Sequence, residues 1–298
     1  MFENSSILNF QIYTSNSFYY CFYINDAIGM NSDPLIFSIQ DNVAILTLNR
    51  PDILNAIDFR MLETMYDQLI QLNERHEEMG IRALIITGTG KAFSAGGDVK
   101  LFADYVSLDQ GPDFIRKFNR LMNGIIVELR EAHFPVIASI NGIVSGAGLN
   151  LACACDFRLA SQSAMIQTAA YTNLGLIPAS GGSFLLPAIV GPAKAWELFT
   201  WKGSLSSTEA KEIGLISQVY PEDELAEEAK NLAFRLALGP TLAFMRTKEL
   251  INNYLSGSTL DHHLNLELKF QKEMAKTKDF KEGINAFLEK RLAQFEGK

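Results

Sequence analysis

Cysteine is scarce in this chain: three in 298 residues, at positions 21, 153 and 155. That is too few for a disulfide framework at this length, so a reducing, cytoplasmic compartment is expected. Cys153 and Cys155 sit in an apolar run that reads as core. Positive charge is also short. The 26 basic residues face 34 acidic ones, a formal charge of −8, which leaves no electrostatic footprint for nucleic acid or an anionic membrane surface. Long apolar runs are missing as well: Phe18–Ile24 is far too short to span a bilayer, and it lacks the basic flank of a secretory signal. Neither nucleic acid nor membrane is an expected partner.

The deficits concentrate at one end. Residues 1–29 hold no Lys or Arg and only Glu3 and Asp26 as charges, yet they carry eight of the 31 aromatics. This stretch is expected to be a non-native or disordered leader, with translation properly starting at Met30; the alternative is a small accessory strand or an interface arm. The remainder is of ordinary globular composition, with 48% hydrophobic and 20% charged residues over the whole chain.

Beyond Met30 the pattern alternates. Leu35–Gln40 and Val43–Leu48 read as strands joined by Asp41-Asn42, a two-residue hairpin signal. Asp58 opens a helix in which Leu62, Met65, Leu69 and Leu72 recur at three and four residues, and Gly80 ends it. A short strand at Ala83–Thr87 leads into a loop from Gly88 to Asp98. A second amphipathic helix is expected at Phe114–Glu131, a buried strand at Pro135–Ile140, and a small-residue loop at Asn141–Gly148 running into the apolar segment Leu149–Cys155. Strand, turn and helix thus recur about every 50 residues, which suggests stacked βα turns and not a plain Rossmann sheet. From about residue 181 the chain reads as mainly helical. Ser206-Ser207-Thr208-Glu209 supplies caps, Ile216–Tyr220 a strand, and Glu222–Leu238, Thr241–Leu255, Leu260–Ala275 and Asp279–Phe295 four further helices. The expected organisation is one core domain over 30–205 with a helical C-terminal region over 206–298. Residues 271–298 carry seven basic against five acidic residues, for which a solvated helix face is sufficient explanation.

Two nucleotide motifs are absent. Gly90-Lys91 is followed by Ala92, and Ile85 stands where a Walker loop needs its first Gly; Gly88 and Gly90 suit a dinucleotide fingerprint, but Phe93 occupies the third Gly position. Cys153 with Cys155, and His262 with His263, do not have metal-ligand spacing, so no metal and no permanently bound cofactor is expected. What is present is a pair of loops of one design. Ala92-Phe93-Ser94-Ala95-Gly96-Gly97-Asp98 and Asn141-Gly142-Ile143-Val144-Ser145-Gly146-Ala147-Gly148 each place small residues after a strand, where backbone N–H groups stay free to donate. Glycines that merely permit tight turns would explain one such loop. Two in succession could make an oxyanion hole.

These residues carry a resemblance. Leu48-Asn49-Arg50-Pro51-Asp52-Ile53-Leu54-Asn55-Ala56, the two loops, and Gly175-Leu176-Ile177-Pro178 with Gly181-Gly182 resemble the enoyl-CoA hydratase/isomerase family, the crotonase superfamily, in order and spacing from about Pro34 to Lys298. The tail, from Ala286-Phe287-Leu288-Glu289-Lys290-Arg291 onward, is similar to that of the phenylacetate-pathway isomerases of that family. The resemblance implies a spiral of ββα turns with a helical trimerisation region, assembled as a homotrimer or a hexamer. It implies Gly97 and Ala147 as the backbone donors to a thioester oxygen. Asn55, Ala56 and Ala95 would then lie along the path of coenzyme A, which enters as part of an acyl-CoA substrate, with Phe287 and Lys290 meeting its adenine and 3′-phosphate in an adjacent subunit. Asp98 is expected to orient or support and not to catalyse. Phe102, Tyr105, Phe118 and Leu121 are candidates for the acyl wall or for plain core.

The chain departs from the family at the acid/base positions. The two glutamates that hydratases use correspond to Asn150 and Tyr171, and a third acidic position of several isomerases is Ala179; Ser161–Leu185 contains no Asp or Glu at all. A positioned acid or base is worth about 10²–10⁴ in rate, so ordinary hydration is put in doubt. Three readings stand open: an isomerase or lyase resting on the oxyanion hole, with Tyr171, Asn150 or a water handling protons; a hydratase or isomerase using another acid such as Asp98, Asp104 or Glu131; and a CoA-thioester-binding subunit without catalysis. Tyr171 could equally be an aromatic wall of the pocket.

Overall fold

The computed structural model describes residues Tyr20–Cys21 and 33–298. The expected leader and its boundary at Met30 lie outside the described residues, apart from the two-residue strand β1 (Tyr20–Cys21), which runs antiparallel to β2 (Leu35–Gln40). β2 and β3 (Val43–Leu48) form the expected hairpin. Asp41 and Asn42 both take positive φ, 48° and 68°, as a type I′ turn demands.

Helix α1 (Phe59–Met79) starts on Asp58, whose carboxylate accepts from the Met61 N–H, and stops at Gly80 in the left-handed region. Its Met61, Leu62, Met65, Leu69 and Leu72 are buried. The chain continues through β4 (Ala83–Gly88), β5 (Ala92–Ser94), α2 (Val99–Ser107), α3 (Gly111–Glu131), β6 (Val136–Ile140), β7 (Ile143–Ser145), α4 (Gly146–Ala154), β8 (Phe157–Ser161) and β9 (Met165–Gln167). Next come α5 (Gly182–Val190), α6 (Pro192–Glu197), β10 (Ser204–Ser206), α7 (Ser207–Glu212) and β11 (Gln218–Tyr220). The helices α8 (Leu225–Ala237), α9 (Thr241–Leu255), α10 (Leu260–Met274) and α11 (Lys278–Glu289) complete it.

The strands sort into two sheets. One has the order β1-β2-β3-β4-β6-β8-β11, parallel from β3 onward; the other has the order β10-β9-β7-β5. Each turn of the spiral therefore gives one strand to the first sheet and the next to the second: β4 then β5, β6 then β7, β8 then β9. The main core lies between α1, α3, α4 and the inner faces of the strands, with Leu46, Leu48, Leu84 and Phe93 fully enclosed. A smaller core forms where α8 covers Val43, Ala83, Ile85, Ile137 and Leu159 on the other face of the first sheet.

Three expectations need correction. α2 has no counterpart among the expected elements, although Asp98 caps it by accepting from the Lys100 and Leu101 N–H groups; none of its residues is fully buried. The stretch expected as a loop over Asn141–Gly148 contains β7 and the first turn of α4, because Gly148 lets that helix abut the first loop: a Cβ there would lie 2.6 Å from Ser94 Cβ. The last helix ends at Glu289 and not at Phe295. Lys290 turns left-handed, and the segment beyond folds back so that the Asp279 carboxylate accepts from Glu296 N–H (2.7 Å) and Gly297 N–H (3.0 Å).

Candidate active site

Asn55 organises the first strand-to-loop corner. It has no exposed surface; its Oδ1 accepts from the Arg50 N–H (2.8 Å), and its Nδ2 donates to the carbonyls of Thr89 (2.9 Å) and Ala92 (2.8 Å). Ser94 Oγ donates to the Asn55 carbonyl and accepts from the Gly96 N–H. Asn55 thus holds the loop from inside, and Ala56 beside it is buried as well. Gly96, at φ 92°, lies against the second loop: a Cβ there would stand 2.9 Å from the Ser145 carbonyl and 3.3 Å from the Ala147 nitrogen. This contact requires glycine.

The two loops meet at one pocket. Ala95, Gly96, Gly97 and Asp98 line it from the first, Gly146 and Ala147 from the second, and Phe102, Phe114, Ile115, Phe118 and Asn119 from α2 and α3. Tyr171, Leu174 and Leu176 close the opposite side. Among the described residues, no protein acceptor pairs with the Gly97 N–H, and Ala147 is the second residue of α4, where an N–H has no carbonyl inside its own helix to bond. Two residues whose backbone N–H groups have no protein acceptor therefore line one cavity.

The aromatic wall is a packed set. Phe114 stacks on Phe118 at 5.6 Å between ring centres and contacts Phe102 at 5.0 Å. Phe102 and Phe118 line the pocket, whereas Tyr105 packs behind against Phe59 and Phe114, and Leu121 is half-buried against the core. Among the described residues, the one acidic lining residue is Asp98. Its Oδ2 lies 3.2 Å from Arg50, and its Oδ1 caps α2, so the carboxylate is engaged on both oxygens. Asp104 and Glu131 are exposed and do not line the pocket.

Asn150 and Tyr171 meet. Asn150, on α4 and 4% exposed, donates both amide hydrogens, one to Tyr171 Oη at 2.8 Å and one to the Ala179 carbonyl at 2.7 Å. Burial pushes the Tyr171 phenol up to about 12, against the weaker opposing pull of its hydrogen bonds to Ser180 and Asn150. It stays protonated near neutrality and can donate but not accept a proton. Ser180 Oγ in turn donates to Asn119 Oδ1 at 3.3 Å. Sequence reasoning missed Asn119, Ser180 and Phe114. No local pattern marks Asn119 and Ser180, which lie 61 residues apart and meet only through the packing of α3 against the turn before α5.

Phe287 and Lys290 lie elsewhere. Phe287 is 83% exposed, and it lines an apolar groove with Leu242, Met274, Phe280 and Ile284; neither residue reaches the pocket of its own chain. Among the described residues no helix is long and apolar enough to cross a membrane.

A cavity between paired small-residue loops of a two-sheet spiral is the frame of a crotonase-fold enzyme, and the comparisons agree. The model of the enoyl-CoA hydratase/isomerase family matches residues 38–298. The chain belongs to that family of acyl-CoA enzymes. It is 36% identical over 265 residues to the 1,2-epoxyphenylacetyl-CoA isomerase of Escherichia coli, covering 89% of this chain and 98% of the relative. It is 33% identical to the trans-2-decenoyl-[acyl-carrier-protein] isomerase of Streptococcus mutans, covering 90% and 100%. Among solved structures, an enoyl-CoA hydratase from Bacillus anthracis superposes with a TM-score of 0.81 at 34% identity, over 89% of this chain and all of that one.

Proposed function

We propose that this protein acts on an acyl-CoA thioester as an isomerase or lyase, holding the thioester enolate with the Gly97 and Ala147 N–H groups. The observation that carries the reading is that two residues with unpaired backbone N–H groups line a pocket whose single carboxylate among the described residues, Asp98, is already bound to Arg50 and to the start of α2. Two such donors aimed at a developing oxyanion are worth about 10²–10³ in rate each. Tyr171, neutral and oriented by Asn150, supplies an O–H near the acyl group. Hydration needs a base for water, and the pocket offers no free one. A hydratase with a non-standard acid would have to release Asp98 from Arg50. Apart from Asp98, which Arg50 neutralises, the lining is uncharged and favours uncharged acyl groups, since an unpaired buried carboxylate costs several kcal/mol.

The thioester's CoA moiety would run past Ala95 and Ala56, with Asn55 shaping that path from behind. Phe287 and Lys290, exposed and remote from their own pocket, are suited to reach the CoA of a neighbouring subunit in a homotrimer or hexamer. Coenzyme A then enters only as part of the substrate. Absorbance changes with crotonyl-CoA and with a 3-enoyl-CoA decide among the readings. Turnover of the 3-enoyl ester with slow or absent hydration supports the proposal. Hydration at an ordinary hydratase rate overturns it, and tight CoA-ester binding without turnover on a panel of acyl-CoAs points to a binding subunit.

A further inference from the structure

Asp98, Asn119 and Tyr171 are the pocket's hydrogen-bonding side chains; the other described lining residues are apolar or glycine. Asp98 has both oxygens engaged, on Arg50 and on the start of α2. Asn119 Oδ1 accepts from Ser180 Oγ at 3.3 Å, and among the described residues nothing accepts from its amide hydrogens. Tyr171 Oη accepts from Asn150 at 2.8 Å, and among the described residues no hydrogen bond takes its proton. Ser180 and Asn150 both favour the ionised phenol, the opposite of what an acceptor for that proton would do, while burial keeps it protonated near neutrality. The lining side chains therefore leave a ligand two donors and no acceptor.

The two donors are tied to one turn. Asn150, which donates to Tyr171, gives its other amide hydrogen to the Ala179 carbonyl at 2.7 Å, and the next residue, Ser180, donates to Asn119. The surrounding wall is made of Phe102, Phe114, Phe118, Leu174 and Leu176. A plain hydrocarbon chain lying against it would strip water from both donors and return nothing, and a buried donor without a partner is costly. A carboxylate would find no cation among the lining residues, and a hydroxyl would bring a proton for which the lining side chains hold no acceptor. A ketone or ether oxygen has lone pairs and no proton. We propose that the acyl group of the substrate carries, beyond its thioester, an uncharged oxygen of the ketone or ether class, held by the Tyr171 hydroxyl and the Asn119 amide. This inference rests on the acyl-CoA reading above and narrows it.

The test measures binding to the whole chain by isothermal titration calorimetry. The probes are hexanoyl-CoA, its isomeric oxo esters, ether analogues in which an oxygen replaces one CH₂, and the isomeric hydroxy esters. One oxo or ether ester is expected to bind about tenfold or more tightly than hexanoyl-CoA, and more tightly than the hydroxy ester of the same position. Which of the two binds best separates a ketone from an ether. The readout is the ratio of that ester's affinity to that of hexanoyl-CoA within each protein, so a general loss of binding cancels. The ratio should fall toward one in Tyr171→Phe and in Asn119→Leu, and should one variant fail to fold, the other decides. A ratio near one in the parent, a hydroxy ester binding best, or an unchanged ratio in a folded variant overturns the inference and leaves the acyl-CoA reading standing. If no ester, hexanoyl-CoA included, binds more tightly than free CoA, the acyl-CoA reading falls and this inference with it.

Discussion

The two small-residue loops look alike in sequence and differ in what stands behind them. The first runs into α2, in which no residue is fully buried and Val99 and Val106 are more than half exposed. The second runs into α4, in which all nine residues are buried. One wall of the pocket is thus a peripheral helix held by the Asp98 cap and the Arg50 ion pair, and the other is part of the core. A donor on α4 is fixed by packing, which is the preorganisation an oxyanion hole needs; a donor on the α2 side is fixed by hydrogen bonds through Asn55 and Ser94. The same local design is made rigid by two different means.

The largest expected effect tests the donor on the packed wall. Ala147→Pro removes one N–H at a helix position where proline is tolerated, and turnover should fall about 10²–10³-fold while the circular dichroism spectrum is kept. Unchanged turnover would remove Ala147 from the site. The next separates the walls by stability. Gly148→Ala puts a Cβ 2.6 Å from Ser94 Cβ and 2.9 Å from the Ser94 carbonyl and should cost about 3 kcal/mol, whereas Gly97→Ala meets only the Phe118 ring at 3.4 Å and should cost under about 1 kcal/mol in denaturant unfolding. Equal losses would mean that the two loops are equally constrained.

How much of this was legible in the sequence follows the same division. Periodicity and caps located β2, β3, α1 and α9 almost to the residue, because Asp41-Asn42, Asp58 and Gly80 are local signals with local causes. The family motifs marked Gly97, Ala147, Asn150 and Tyr171, and the structure gathers all four around one cavity or directly behind it. Local signals failed where distant contacts decide. Gly146-Ala147-Gly148 reads as a loop by propensity, yet it opens a helix that lies so close to the first loop that only glycine fits against Ser94 at position 148. Spacing alone puts Phe295 in the last helix, but the Asp279 carboxylate captures the N–H groups of Glu296 and Gly297 and folds the chain back. Ser180 and Asn119 had no signal at all, since each is polar for a reason that lies 61 residues away.

Alkaline pH should act on α4 and on the Tyr171 side of the pocket. Burial pushes Tyr171 up to about 12 and the α4 thiols of Cys153 and Cys155 up to about 11 and about 12. Each ionises at lower pH in the unfolded chain than in the folded one, so the unfolded state holds fewer protons and stability falls as pH rises. The contribution is complete below the unfolded values, near 9 for the thiols and 10 for the phenol, and is lost on the way to the folded ones. Tyr171→Phe should therefore remove about 2–3 kcal/mol of the loss between pH 10 and 12, leaving the part that begins near pH 9. A variant that loses stability over that range as steeply as the parent would place the phenol in water. The smallest effect belongs to the peripheral wall. Val106, 55% exposed on α2, meets water in both folded and unfolded chains, so Val106→Ser should shift unfolding by no more than about 0.5 kcal/mol. A larger loss would mean that something covers α2 in solution, and the contrast between a packed and an open wall would then hold only for the isolated subunit.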